Sequence, residues 1–330
     1  MSSRYDEYAK YERPRRRTRP RTKDRPSYAD ADLGRVITVD RGRYTLLLDD
    51  AGGSRVVTAM KARALGRQGV VVGDEVRVVG DTSGRPDTLA RIAEVEPRRT
   101  VLRRTADDDD PIERIIVANA DQLVIVTALA DPPPRPSLID RCLVAAYDAG
   151  MTPLLCLTKT DLARPDELIA SYEPLGVETV VTSHRASIHE VQARLHAETS
   201  VLVGHSGVGK STLVNRLVPD ADRETSDVNS VTGRGRHTST SAIALALPDG
   251  GLIVDTPGIR SFGLAHVDPD RLIDAFGDLS EAAVECSRGC THAATEPECG
   301  LDAGVDAETL DPRRVESFRR VLASLSLPAY

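Results

Sequence analysis

The chain has no tryptophan and only three phenylalanines, and aromatic residues make up 3% of its 330 positions. Its cores must therefore be packed from Val, Leu, Ile and Ala, and recognition by stacked rings has little to draw on. Cysteine is scarce too. The five present are an odd number and three cluster late in the chain, which argues against a disulfide framework. No apolar run reaches the roughly 18 residues of a membrane span. The longest candidate, 115–130, is interrupted by Asn119, Asp121 and Gln122. The N-terminus opens on charged residues with no apolar stretch behind them, so the sequence predicts a cytoplasmic protein without a secretory signal or a membrane partner. What is present is ordinary for a globular protein: 40% hydrophobic and 28% charged residues. At about 150 residues per domain the length predicts two or three units.

The net charge of −7 hides an asymmetry. Residues 1–27 hold ten Lys/Arg against four Asp/Glu, net +6, which leaves −13 on the remainder. Such a basic arm on an acidic body seeks phosphate or another acidic surface. Residues 1–32, with the run Arg13-Pro14-Arg15-Arg16-Arg17, carry too little apolar surface to offset the entropy of ordering and read as a disordered basic arm. Residues 33–97 show five short strand-like runs, at 34–39, 44–48, 55–60, 75–79 and 90–95, with turn signals at 40–43 and at Gly73-Asp74. Five strands in that space fit a small β-barrel of the OB type, with Tyr44 as its one obvious stacking residue; a β-sandwich fragment is the alternative, and periodicity alone does not separate the two. Residues 98–113, mixing arginines with the acidic run 107–110, read as an exposed linker.

From 114 to 264 apolar strands alternate with amphipathic helices, the signature of a mostly parallel sheet covered on both faces. A helix capped by Ser137 follows the first strand, and a helix after Pro165 follows the second. From 265 to 330 the strand pattern stops, and helices flank a Cys-rich loop. The fold class is therefore multidomain: an N-terminal barrel, a central α/β P-loop domain and a C-terminal helical domain.

The sharpest motif is Gly204-His205-Ser206-Gly207-Val208-Gly209-Lys210-Ser211, a full GxxxxGK[ST] match followed by Thr212. It lies between a strand ending at Val203 and a helical run, where glycines let backbone N–H groups curl around phosphates at a helix N-terminus. Lys210 would reach the β- and γ-phosphates and the Ser211 hydroxyl would ligate Mg²⁺. Asp255-Thr-Pro-Gly258 closes a later apolar strand; its carboxylate would hold Mg²⁺ through water and the Gly258 N–H would sense the γ-phosphate. Between them a Gly-rich segment offers Thr238, Ser239 or Thr240 as a further Mg²⁺ ligand from a switch loop. Thr158-Lys159-Thr160-Asp161 resembles the guanine-reading NKxD motif. In it Asp161 would accept from the guanine N1 and N2 donors while the Lys159 stem packs along the base. Thr182-Ser183-His184 ends the next strand, where a backbone N–H would contact the guanine O6. Both precede the P-loop, whereas an ordinary small GTPase carries them after it, so the order is circularly permuted. A P-loop kinase of small molecules and a non-hydrolysing RNA-binding scaffold are the alternatives, and the base-reading motif speaks against the kinase.

Cys286-x3-Cys290-x-His292-x6-Cys299 places three thiols and one imidazole within 14 residues, the donor set of a closed structural Zn²⁺ site. Cys142 and Cys156 fall in apolar patterns and read as core. Many GTPases carry a glutamine just after the DxxG turn to orient the attacking water; here that position is Ile259, so another residue must serve.

This order of parts resembles the RsgA (YjeQ) family, circularly permuted GTPases that act late in assembly of the small ribosomal subunit. The resemblance spans about residues 33–325 and rests on GHSGVGKST, GRGRHTST, DTPGIRSFGL and the Cys/His loop. It implies GTP and GDP as ligands, Mg²⁺ with GTP, one Zn²⁺, a monomer, and the small ribosomal subunit with its rRNA as partner. It also points to His237 in the switch segment as the residue that orients water. Thr158 departs from the family's usual Asn and so lacks the side-chain amide that would brace the loop.

Overall fold

The computed structural model describes residues 27–50, 53–105, 113–219, 242–256, 264 and 266–326. The first strands alternate apolar and polar residues, which puts one row inside. They are β1 (Asp32–Asp40), β2 (Arg43–Asp50), β3 (Gly53–Lys61), β4 (Glu75–Gly80) and β5 (Ala90–Val95). They run in the order β1-β2-β3-β5-β4, and β4 pairs back onto β1, closing a five-stranded barrel. Val36, Leu46, Leu48, Val57, Val76 and Ile92 fill it. The β1–β2 turn passes through Arg41 at φ +45° and Gly42 at φ +84°, the two left-handed residues of a tight hairpin. Tyr44, read from the sequence as a stacking residue, is only 7% exposed and belongs to this core. The period-2 pattern points it inward with its apolar neighbours.

The stretch read as an exposed linker contains a strand instead. β6 (Val101–Arg104) pairs antiparallel with β7 (Arg114–Ala118), and Leu102 and Val117 are buried in the main core. Two arginines beside the apolar pair masked this strand in the sequence. The central sheet then runs β10 (Glu178–Val181), β9 (Thr152–Thr158), β8 (Gln122–Ala128), β11 (Thr199–Val203), β13 (Leu252–Asp255) and β12 (Ile243–Ala246). The first five are parallel, and β12 lies antiparallel on β13. Every residue of β8 and β11 is buried, as a parallel sheet covered on both faces requires. Its helices are α1 (Pro136–Asp148), α2 (Asp166–Tyr172), α3 (His189–Leu195) and α4 (Lys210–Leu217). Ser137 does not cap α1: Arg135 occupies that position without a side-chain bond, and Pro136 starts the helix with a preset φ.

The barrel and the sheet share hydrogen bonds. β1 pairs with β12 at Thr38 and Ile243, and Val72 bridges Val117. Gly73, at φ +89°, lies so close to the chain that a Cβ there would stand 1.9 Å from the Ala118 carbonyl oxygen. Asn119 braces this seam: its Nδ2 donates to the Gly73 carbonyl at 3.0 Å and its Oδ1 accepts the Arg99 N–H at 2.8 Å.

The C-terminal helices are α5 (Pro269–Leu272), α6 (Gly277–Ala283), α7 (Gly300–Asp306) and α8 (Pro312–Ala323). Two of the chain's few phenylalanines fasten them to α1. Phe276 meets Tyr147 edge-on at 4.8 Å and Phe318 at 5.4 Å. Arg320 adds a hydrogen bond to the Ser171 carbonyl at 3.0 Å and lies over the Tyr172 ring. Among the described residues no helix is long and apolar enough to cross a membrane.

Candidate nucleotide site and metal centre

Because β10, β9, β8, β11 and β13 are parallel, the segments that leave their carboxyl ends emerge on one edge of the sheet, where open α/β folds bind ligands. The edge carries, in spatial order, Thr182-Ser183-His184, Thr158-Lys159-Thr160-Asp161, the loop after β8, the P-loop and Asp255. Motifs dispersed over about a hundred residues of sequence thus converge.

The P-loop is the turn between β11 and α4. Gly204, Gly207 and Gly209 take φ values of +149°, +82° and +98°, a backbone that side-chain-bearing residues rarely adopt. Val208 is buried and anchors the loop to the sheet. Lys210 Nζ donates to the Gly204 carbonyl at 2.5 Å, so the ammonium lies against the loop's own entrance. Ser206, Ser211 and Thr212 are exposed. His205 turns its Nδ1 to within 2.9 Å of the Ser206 carbonyl, a contact inside the loop. Amides, a helix N-terminus and an ammonium around one concavity are what a polyphosphate requires.

Thr158 corrects the sequence reading. It is 6% exposed at the end of β9, and its hydroxyl donates to the Val208 carbonyl at 2.6 Å. The bracing assigned to a missing amide is therefore made by a shorter side chain across to the P-loop. Lys159 follows at φ +58°, and its Nζ donates to the Asp131 carbonyl in the loop after β8. Thr160 Oγ1 donates to the Thr182 carbonyl at 3.3 Å, tying this motif to the next. Asp161 and His184 are exposed at the rim, and Ser183 Oγ accepts the Ala186 N–H at 3.2 Å. One residue of this cluster carries no sequence signal. Arg216, in the last turn of α4, donates to the Ser183 carbonyl at 2.8 Å and to the Ala186 carbonyl at 2.5 Å.

On the far side, Asp255 ends β13 in register with Leu202. Thr256 Oγ1 donates to the Leu202 carbonyl at 3.0 Å, holding the residue after β13 against β11. Gly258, Ile259, His237, Thr238, Ser239 and Thr240 lie outside the described residues, as do residues 1–26 of the basic arm.

Cys286, Cys290, His292 and Cys299 come together, with their ligand atoms all within 4.8 Å of one another. His292 Nδ1 stands 3.6, 3.7 and 3.8 Å from the sulfurs of Cys286, Cys290 and Cys299, and Cys286 lies 4.0 Å from Cys299. Tetrahedral zinc with Zn–S of about 2.3 Å and Zn–N of about 2.0 Å imposes ligand separations of about 3.5–3.8 Å, so the four residues fit that ion. Desolvation lowers the His292 pKa, favouring the neutral ring a metal needs, and pushes the Cys290 thiol up to about 11. A bound cation would favour the thiolate at Cys290. Cys142 and Cys156, by contrast, are buried in the apolar cores, which pushes both thiols up to about 12.

Comparison with known proteins matches residues 95–265 to the RsgA GTPase family model. A small ribosomal subunit biogenesis GTPase RsgA of Azotobacter vinelandii is 39% identical over 270 residues, which are 79% of this chain and 76% of that protein. One from Pseudomonas putida is 41% identical over 224 residues, and this chain spans 65% of its length and matches over 65% of its own. The crystal structure of YjeQ from Thermotoga maritima superposes with a TM-score of 0.66 at 26% identity, covering 89% of this chain and 98% of that one.

Proposed function

The chain belongs to the RsgA GTPase family, and from that premise we propose that it binds the small ribosomal subunit, hydrolyses GTP to GDP and phosphate in response, and so assists late maturation of the subunit. The observation that carries this reading is the convergence of a P-loop and the segments 158–161 and 182–184 on one sheet edge, in permuted chain order, with Thr158 tying the first segment to the P-loop and Thr160 tying it to the second.

In this reading the 204–209 amides and Lys210 hold the β- and γ-phosphates, with Ser206, Ser211 and Thr212 around them. Asp161 accepts from the guanine N1 and N2 donors, and a backbone N–H at Ser183 or His184 meets O6. Mg²⁺, when bound with GTP, neutralises charge on the phosphate oxygens; Ser211, Asp255 and a switch hydroxyl such as Thr238 would hold it. Gly258 senses the γ-phosphate. With isoleucine at position 259, His237 orients the attacking water. Cys286, Cys290, His292 and Cys299 hold one structural zinc, and the basic arm gathers rRNA phosphates.

Single-turnover GTP hydrolysis with and without purified small subunits tests the proposal. Turnover is expected to rise when subunits are added. His237→Ala is expected to keep GDP affinity while losing about 10²-fold or more in rate, the low end of a positioned acid–base group's contribution. Hydrolysis indifferent to the subunit would overturn the ribosomal role. A His237→Ala enzyme with undiminished rate would move the catalyst elsewhere.

A further inference from the structure

The segment expected to contact the guanine O6 is poorly anchored by its own sequence. Thr182 is held by its N–H donating to the Leu157 carbonyl at 2.8 Å. Beyond it, residues 184–187 are exposed, and the bonds within the segment are long: Ala186 N–H to Ser183 Oγ at 3.2 Å, Thr182 Oγ1 to the Ser183 carbonyl at 3.5 Å and His189 N–H to Ser187 Oγ at 3.2 Å. A backbone amide that reads a base must stay in place while unoccupied, or binding has to supply the ordering entropy. Thr160 holds the segment's start through the Thr182 carbonyl at 3.3 Å, and beyond that residue the external support comes from Arg216. Its two terminal nitrogens take the Ser183 carbonyl at 2.8 Å and the Ala186 carbonyl at 2.5 Å. One planar guanidinium thus holds both ends of a four-residue turn, a fork geometry that lysine cannot reproduce. Occupying these carbonyls also keeps their negative dipoles turned toward α4.

Arg216 reaches the loop from the last turn of α4, whose first residue is Lys210 of the P-loop. The helix that begins at the phosphate subsite therefore ends by gripping the base subsite. We propose that Arg216 is a positioning residue for guanine selectivity, presetting the 183–186 loop for the base. This rests on the reading of the edge as a guanine-nucleotide site.

The test uses the full chain and measures GDP and ADP affinities by competition against a fluorescent guanine nucleotide, alongside thermal melting. Wild-type protein must prefer GDP over ADP. If it does not, the guanine reading itself fails and this inference falls with it. Given that preference, Arg216→Ala is expected to lose about tenfold in GDP affinity, the scale of a charge-assisted hydrogen bond, while ADP affinity stays unchanged. The KM for GTP should rise with kcat at saturation preserved. Arg216→Lys, which restores one contact, should recover part of the loss and stands in if the alanine variant does not fold. Unchanged GDP affinity in either folded variant overturns the proposal. So does an equal loss for GDP and ADP, which would make Arg216 a support of the P-loop rather than of base reading.

Discussion

Gly204 shows how far one position is constrained by the chain around it. At φ +149° it passes the neighbouring strand so closely that a Cβ would stand 2.3 Å from the Val126 carbonyl oxygen. Backbone cannot yield there without moving β8. Gly204→Ala is expected to cost about 1–3 kcal/mol through strain, and to weaken GDP binding because the loop must shift. Thermal melting and GDP titration check both; a variant that melts and binds like wild type would show that the loop has room. The consensus glycines and Lys210 were legible in sequence because phosphate geometry permits few alternatives. Thr158 was legible only in part. Its place in the motif was plain, but whether a shorter hydroxyl could replace an amide depended on the distance to Val208, which no spacing encodes. Arg216 left no trace, since one arginine near a helix end is ordinarily a solvated charge.

Among the elements, α8 joins several others through its arginines. Arg314 pairs with Asp278 and donates to the Pro174 carbonyl at 2.7 Å, reaching α6 and the end of the α2 region. Arg320 reaches Asp140 of α1 at 3.4 Å. Arg319 faces the metal centre: it pairs with Asp302 through two bonds of 2.8 and 2.9 Å and donates to the His292 carbonyl at 2.9 Å. The N–H of Gly300 at the start of α7 points to the Cys286 sulfur at 3.1 Å. The four ligands are thus built into helix packing as well as into a loop. Cys290→Ser is accordingly expected to abolish zinc retention, measured by elemental analysis, and to lower the melting temperature of the C-terminal helices. Nucleotide affinity should change little, because α4 and the P-loop share none of these contacts. Retained zinc at about one per chain would overturn the assignment. The metal loop was readable because donor type and spacing are chemically narrow. The strand β6 and the short strand β12 were not, since four residues such as Ile243–Ala246 give too little periodicity to separate from a loop.

At the scale of the whole molecule, the texture changes along the sequence marked out a barrel, an α/β sheet and a helical end. They could not show that the first two are stitched together. Pairing between distant strands is settled by register and by close backbone approach, such as Gly73 beneath Ala118. Both are long-range properties. β1 belongs to the barrel and also pairs with β12, which pairs in turn with β13 leading to Asp255. Deleting residues 1–97 would therefore do more than remove a module. It would turn β12 from an inner strand into a bare sheet edge and uncover Leu102 and Val117, which Val72 and Ile37 now help to bury. Exposed edges recruit other strands. The truncated protein is expected to self-associate, read by gel filtration as a shift to higher mass that grows with concentration. In engineering terms, the barrel is no detachable cartridge: swapping it for another binding domain would succeed only if the newcomer brought its own strand to lie against Ile243.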